Sequence, residues 1–409
     1  MLNSINALDI GEPYKRSKVV KKVHRVTIVT PFYPPDPGGI AVHVYELVNR
    51  LTSFGIKCQV ITCARNSRSL YWVKRMGDGL EVVGVNSVTP ISFPETMRSF
   101  RIPFYSMFIR DIICPFDPDI IHLHGHHYPI NWLVAFDQKL RDIPKVLTVH
   151  GMYALNPYNI GGKTIIEEIF NQTLLRSFLS KIDGVIALTR TIAKYISRYT
   201  HKPIFIIPNG VNVNVFQENL HRKMEYMRNY GLPEDRKVVL FRGRFNHVKG
   251  IIEYSEAAAI LSRLRNDIYF LAVGDGPLKS IIIKIFEKYV NGQVMFWTPY
   301  ERIHELYIAS DIYVMPSKWE AFGITLLESM AADLVIVATN IGGIPDVLDQ
   351  YPRKVLIYPP VTRSILYGII DALKMTDEQH QQKRQDVLRH YDWENIARKV
   401  ISSYTYFLK

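Results

Sequence analysis

Two glutamates eight residues apart, Glu320 and Glu328, flank Phe322-Gly323-Ile324-Thr325 in PSKWEAFGITLLESMAA, residues 316–332. The preceding DIYVMPS reads as a strand and LLESMAA as a helix, so the motif occupies a strand–loop–helix junction. Unpaired amides at a helix start, together with the helix dipole, attract an anion. Gly323 removes a side chain where a phosphate would approach the backbone, and two carboxylates there can accept hydrogen bonds from sugar or ribose hydroxyls. Two glutamates alone would say little. The Phe-Gly element and the strand context make the motif informative.

A second group, FRGRFNHVKG at 241–250, directly follows a strand candidate. Arg244 and Lys249 project from a glycine-flanked loop and suit a clamp on a diphosphate. They also lie at the C-terminal end of a strand, where α/β sheets bind ligands. GDGP at 274–277 follows IYFLAV; Gly274 is either a phosphate contact or part of a tight βα turn. Gly38-Gly39 follows the first main strand and opens a helix, again suiting phosphate approach or an ordinary turn.

His122 and His124 alternate along a strand candidate, His126 and His127 follow, and His150 ends the next strand. Residues two apart on a strand share one face, so a metal site is conceivable. No acidic or cysteine ligand accompanies them at diagnostic spacing. The expectation is a cleft-facing hydrogen-bonding role and no metal. Asp117-Pro118-Asp119 resembles a pair of metal-holding aspartates, but its proline and its place before a strand favour a turn. The chain matches no Walker P-loop, nucleophile elbow or dinucleotide fingerprint.

The elements that must position these groups alternate from end to end. Strand candidates lie at 25–30, 57–62, 81–85, 120–124, 145–150, 184–188 and 204–207, then at 237–241, 268–273, 294–297, 312–315, 335–338 and 355–357. Many are continuous apolar runs, as in parallel strands buried on both faces. The expected fold is α/β, with two doubly wound Rossmann-like domains rather than one barrel. The break falls near Pro208-Asn209-Gly210. The expected organisation is a basic extension at 1–24, a first domain at 25–207, a second at 208–388, and a terminal segment at 389–409. That last segment places Trp393, Ile396, Ala397, Val400, Ile401 and Tyr404 at helical spacing over 391–408.

At 409 residues the chain suits two to three domains, and 47% apolar with 22% charged residues is a globular composition. Three cysteines make no disulfide framework or zinc pattern and read as thiols of a reducing compartment. No run is long and apolar enough for a spanning helix, and the N-terminus lacks a signal-peptide pattern. The reading is a soluble, cytoplasmic protein, at most peripheral on the inner face of a membrane.

Net charge is +12, and it is uneven. Residues 1–205 carry 25 basic and 15 acidic side chains, net +10, against 25 and 23 in the remainder, net +2. The excess concentrates at 15–25 and in MRSFRIPFYSMFIR at 97–110. The latter, with Arg98 and Arg101 among aromatic residues, is either a solvated loop, a partly buried helix or a contact for an anionic membrane.

Taken in order, these elements resemble the retaining GT-B glycosyltransferases of family four, the group that includes bacterial phosphatidylinositol mannosyltransferases and sucrose synthases. The likeness spans about 25–408 and rests on Gly38-Gly39, TVHG ending at His150-Gly151, GRFNHVKG, GDGP, EAFGITLLE and IGGIPDVL at 341–348. It implies two Rossmann-like domains facing across a cleft, with the terminal helix crossing back to the first. It implies a nucleotide-sugar co-substrate, UDP- or GDP-linked, on the second domain, with no further cofactor, and a lipid, glycan or other hydroxyl acceptor on the first. Arg244 and Lys249 would hold the diphosphate, Glu320 the transferred sugar and Glu328 the ribose. The amides of Phe322, Gly323, Ile324 and Thr325 would assist at the phosphates. His150 would lie near the reacting sugar, and Gly38-Gly39 near phosphates or acceptor. Asn212, Asp346 and Ala321 depart from the family's usual Asp, Glu and Gly; the first two are expected as caps or solvent-side groups.

Two competing readings keep different chemistry. A sugar-nucleotide epimerase or glucan phosphorylase would share the fold, but the paired glutamates favour transfer and the chain is short for a phosphorylase. A basic membrane- or nucleic-acid-binding protein would use the charged first half without catalysis. No motif that reads DNA or RNA accompanies that charge, so no nucleic-acid partner is expected.

Overall fold

The computed structural model describes residues 7–8, 22–36, 38–64, 69–91, 100–103, 109–151, 168–296, 300–375 and 381–408. The chain divides into two compact units. One comprises Met1–Leu155, Asn159–Asn209 and Trp393–Lys409; the other comprises Asn156–Tyr158 and Gly210–Asp392.

Among the described residues, the first unit carries a ten-stranded sheet: β1 (Ala7–Leu8), β2 (Arg25–Thr30), β3 (Lys57–Ala64), β4 (Tyr71–Met76), β5 (Leu80–Ile91), β6 (Phe100–Pro103), β7 (Ile120–His124), β8 (Lys145–Val149), β9 (Gly184–Ala187) and β10 (Ile204–Ile206). Its order is β1-β10-β9-β8-β7-β2-β3-β5-β4, with β6 also paired to β5. β4 and β6 run antiparallel to β5, and the remaining pairs are parallel. Strand order reverses between β2 and β7, so the ends of β2, β7 and β8 are the natural ligand positions. Val26, Ile28, Val44, Leu47, Leu51, Val60 and Phe205 form the core with Trp393, Ile396, Ala397, Val400 and Tyr404 of the helix Trp393–Thr405. The terminal helix thus completes the core of the first unit.

β1, β4 and β6 are additions to the expected strands. Every residue of β4 is exposed, so it lacks the buried-face alternation that marks a strand in sequence. Residues 100–103, expected as loop or helix, pair with β5, and the helix that follows, Ile109–Phe116, buries Ile109 and Ile113. Arg101 lies on β6, whereas Arg98 and the basic residues at 15–21 lie outside the described residues.

The second unit holds β11 (Lys237–Arg242), β12 (Ile268–Val273), β13 (Gly292–Met295), β14 (Ile312–Met315), β15 (Val335–Thr339) and β16 (Lys354–Ile357). All neighbours are parallel, in the order β13-β12-β11-β14-β15-β16. The order reverses between β11 and β14, whose C-terminal ends lead into the GRFNHVKG and PSKWEAFG loops. Asn212 stands just before the helix Val213–Gln217, is half-buried and makes no side-chain capping bond, so of the two expected roles, cap or solvent-side group, it does not fill the first.

Candidate active site

At the reversal in the second sheet, four motif loops interlock. The Asn246 side chain accepts a hydrogen bond from the Lys249 amide at 3.0 Å, shaping the short turn that carries Lys249. Gly250 follows with φ 69°; a Cβ there would stand 2.2 Å from the Pro316 carbonyl oxygen. A Cβ on Gly274 would stand 1.9 Å from the Gly243 carbonyl oxygen. The Phe245 amide donates to Asp275 O at 2.9 Å, and the Lys318 amide to Val248 O at 2.7 Å. On the far side, the Gly343 amide donates to Glu320 O at 2.9 Å. Close backbone approach, rather than ligand contact alone, therefore accounts for the glycines of GDGP and IGG.

These loops bring Lys249 Nζ against the Glu320 carboxylate in a part-buried ion pair. Arg244 lies half-buried on the same loop as Lys249. Gly323, with φ 82°, caps the helix Ile324–Ala331; Phe322 is buried, and Ile324 and Thr325 are half-buried in its first turn. A cation, a carboxylate and a helix N-terminus thus converge at one end of the sheet.

Glu328 sits differently. It is buried, and its Oε2 accepts from Arg242 Nη1 at 2.6 Å and from the Tyr307 hydroxyl at 2.7 Å. Burial opposes the Arg242 charge, yet the Glu328 carboxylate beside it holds the guanidinium above its ordinary pKa. Burial, then the Glu328 charge, pushes the Tyr307 hydroxyl well above its usual range.

In the first unit, Gly38, with φ 131°, caps the helix Gly39–Ser53. His43 lies on that helix, its Nδ1 2.5 Å from Asn209 Oδ1. His124 Nδ1 stands 3.0 Å from His150 Nε2, and the His43 ring meets that of His150 edge-on at 4.9 Å. His122 is buried, with Nδ1 2.7 Å from the Tyr404 hydroxyl and Nε2 2.7 Å from Thr148 Oγ1. His126 is buried as well. The cleft-facing expectation therefore fails for His122, whose ring nitrogens are both engaged inside the core; His150 alone of the β7 and β8 pair is partly exposed. Burial lowers the pKa of His43 to about 4 and of His122 to about 3. Burial, then neighbouring imidazoles, holds His124 and His150 well below the ordinary value. Asp119 accepts backbone hydrogen bonds from His24 and Arg25 at 2.8 and 2.9 Å, a structural role in its turn.

Comparison with known proteins identifies both units. Residues 37–215 match the family described as Glycosyltransferase Family 4, and residues 222–386 match Glycosyl transferases group 1. The chain is a GT-B glycosyltransferase. Its reaction moves a sugar from a nucleotide-sugar donor to an acceptor. An uncharacterized glycosyltransferase of Methanocaldococcus jannaschii is 25% identical, covering 93% of this chain and 97% of that one. The GPI3 subunit of the Saccharomyces cerevisiae phosphatidylinositol N-acetylglucosaminyltransferase is 26% identical, covering 93% and 82%. Among solved structures, sucrose-phosphate synthase of Thermosynechococcus elongatus superposes with a TM-score of 0.75 at 17% identity, covering 92% of this chain and 97% of that one. A Rickettsia africae glycosyltransferase superposes at 0.72 and 20%, covering 95% and 100%.

Sequence reasoning about the glycosyltransferase missed Arg242, Tyr307, His43 and Asn209. Two of these carried a signal. Arg242 ends β11 two residues before Arg244, and His43 is one of two polar residues, with Glu46, buried on a helix face otherwise made of Ala41, Val44, Leu47, Val48 and Leu51. Tyr307 and Asn209 became partners only through the fold.

One ring nitrogen from each of His43, His124 and His150 lies within 4.8 Å of the others. Each neutral imidazole has one lone pair, and the His124–His150 hydrogen bond consumes one.

Proposed function

We propose that the protein is a retaining hexosyltransferase that uses a UDP- or GDP-sugar and a lipid-linked, glycan or other hydroxyl acceptor, without a metal ion. The observation that carries this reading is the convergence of Lys249, Arg244, Glu320 and the helix start at Gly323 on the β11–β14 reversal. Arg244 and Lys249 hold the diphosphate. Glu320 contacts the transferred sugar, and the amides from Phe322 to Thr325, with Gly274 nearby in chain order on the next loop, face the phosphates. Glu328, ion-paired with Arg242, accepts from ribose hydroxyls. His150 contacts the reacting sugar, and Gly38-Gly39 serves the acceptor or phosphates.

As the glycosidic bond to the leaving phosphate breaks, negative charge gathers on the phosphate oxygen and positive charge on the sugar. Two cations and a helix N-terminus stabilise the first without a metal. Glu320 is committed to Lys249, which disfavours it as a covalent nucleophile. Attack therefore comes from the leaving-group face, with the departing phosphate taking the acceptor proton. The phosphatidylinositol N-acetylglucosaminyltransferase names of several relatives support a lipid acceptor. With the basic surplus of the first half, they support cytoplasmic work at an anionic membrane through Arg98 and Arg101. No helix among the described residues is long and apolar enough to cross a membrane.

Incubation with a panel of UDP- and GDP-sugars and lipid acceptors tests this reading in metal-chelated buffer. Nucleoside diphosphate release that requires acceptor, with the donor's anomeric configuration kept in the product, is expected. A glycosyl adduct on any carboxylate, or inversion, overturns the mechanism. Donor turnover to an epimer without acceptor would favour the epimerase alternative.

A further inference from the structure

We infer that His124 is a positioning residue that fixes His150 as the Nδ1–H tautomer, so that His150 meets substrate as a hydrogen-bond donor. The inference deepens the proposed function, since it takes His150 as the residue facing the sugar.

His124 Nδ1 and His150 Nε2 are 3.0 Å apart; His124 is buried and His150 half-buried, and burial with the neighbouring imidazoles holds both rings neutral at physiological pH. Only one of these two nitrogens can then carry the shared proton. If His150 carried it, the proton of His124 would lie on Nε2. That atom is buried and has no hydrogen-bond partner among the described residues. A buried N–H without an acceptor is the less tolerated kind of orphan; an unfilled acceptor is tolerated more often. The proton therefore sits on His124 Nδ1 and is donated to His150. His150 accepts at Nε2, and its own proton occupies Nδ1.

The same rule, applied independently, gives the same tautomer at His43. Its Nδ1 faces Asn209 Oδ1, an oxygen that only accepts, so Nδ1 donates and the unpartnered buried Nε2 is a bare lone pair. The two buried, unpartnered nitrogens of the cluster are thus both acceptors.

His124 is itself held. The His122 ring packs 4.2 Å from it at a 39° tilt, and His122 is clamped between Tyr404 and Thr148. Tyr404 belongs to the helix Trp393–Thr405, so a continuous run of contacts leads from the terminal helix to His150. A donor at His150 Nδ1 holds a sugar oxygen by hydrogen bond and so fixes the orientation of the reacting sugar; the opposite tautomer would present a lone pair to that oxygen.

The test uses the full-length protein labelled with 15N-histidine, with His150→Asn identifying the signals that disappear. At neutral pH, His150 is expected to show a protonated Nδ1 and a bare Nε2. A protonated Nε2 overturns the inference. In a second arm, His124→Asn places an amide N–H near the lost Nδ1 and keeps kcat within about threefold, whereas His124→Leu lowers kcat about a hundredfold with little change in donor KM. A Leu variant at wild-type kcat, or an Asn variant as slow as Leu, also overturns it. Should the Leu variant not fold, the tautomer measured in the wild-type protein decides. If no donor supports transfer at all, the proposed function fails while the tautomer measurement stands.

Discussion

Lys249 Nζ and the Glu320 carboxylate form an ion pair although 71 residues separate them, one after β11 and the other after β14. The pair is part-exposed, with side chains 30% and 15% accessible, so it contributes little to folding; surface-type pairs are worth under about 1 kcal/mol. Its persistence at the strand-order reversal fits ligand binding instead. Lys249→Ala is expected to lower transfer about a hundredfold or more while leaving the thermal midpoint near wild type. Initial rates and melting curves on the same preparation check both halves, and wild-type turnover would remove Lys249 from the site.

Glu328 should behave in the opposite way on stability. Its carboxylate balances the buried Arg242 guanidinium at 2.6 Å. Breaking a buried pair by removing one partner costs about 3–5 kcal/mol. Glu328→Ala is therefore expected to lower the urea midpoint sharply as well as donor affinity, whereas Glu320→Ala lowers activity with a near-normal midpoint. Equal midpoints for the two variants would contradict the structural part of this assignment.

Legibility followed periodicity and chain order. Buried strands such as β12, β14 and β15 announced themselves as largely apolar runs, and the loops after β11 and β14 were readable because glycine and charge follow a strand directly. β4 was not readable, since every residue is exposed and no face is apolar. Arg242 and Tyr307 were invisible as partners of Glu328 because that contact depends on sheet order. His43 could have been found as the histidine on an apolar helix face, but Asn209 looked like turn punctuation and became its partner only in three dimensions.

Gly342 offers a test without any polar side chain. Its φ is 61°, and an added Cβ would lie 2.1 Å from the Glu320 carbonyl oxygen. Gly342→Ala must displace the loop that carries Glu320, and a misplacement of about 1 Å can cost about a hundredfold in rate. Gly231 is the control, with a similar φ of 64° but open space around its Cβ position. Gly231→Ala should strain the backbone and leave turnover unchanged. Equal kcat values for the two variants would show that the Glu320 loop tolerates the shift.

For the membrane reading, Arg98→Gln with Arg101→Gln should weaken sedimentation with vesicles containing anionic lipid. Each basic residue near such a surface contributes about 1 kcal/mol, roughly fivefold in partitioning, and the effect should fade in high salt. Unchanged sedimentation would remove these two arginines as the membrane contact.

The buried histidines set a distinctive acid limb. Burial lowers His43 and His127 to about 4 and His122 to about 3, and holds His124, His126 and His150 well below their ordinary value of 6.5. The folded state therefore keeps these rings neutral, whereas the unfolded chain protonates them as pH falls past 6.5. Their stabilising contribution is full above that value and is lost as pH falls toward the folded pKa values. Each histidine so affected costs about 1.4 kcal/mol per pH unit once the unfolded ring is charged. Carboxylates act lower. Burial opposes the charge of Asp311, but Lys223, the Val238 amide and Lys237 hold its pKa below the usual 3.8, so its loss falls below that pH. A steep fall in the urea midpoint between about pH 6 and pH 5, with several protons taken up on unfolding, is thus a histidine signature. A flat midpoint across that window would mean that the rings are hydrated or charged in the folded protein, and the neutral cluster beside His150 would not exist.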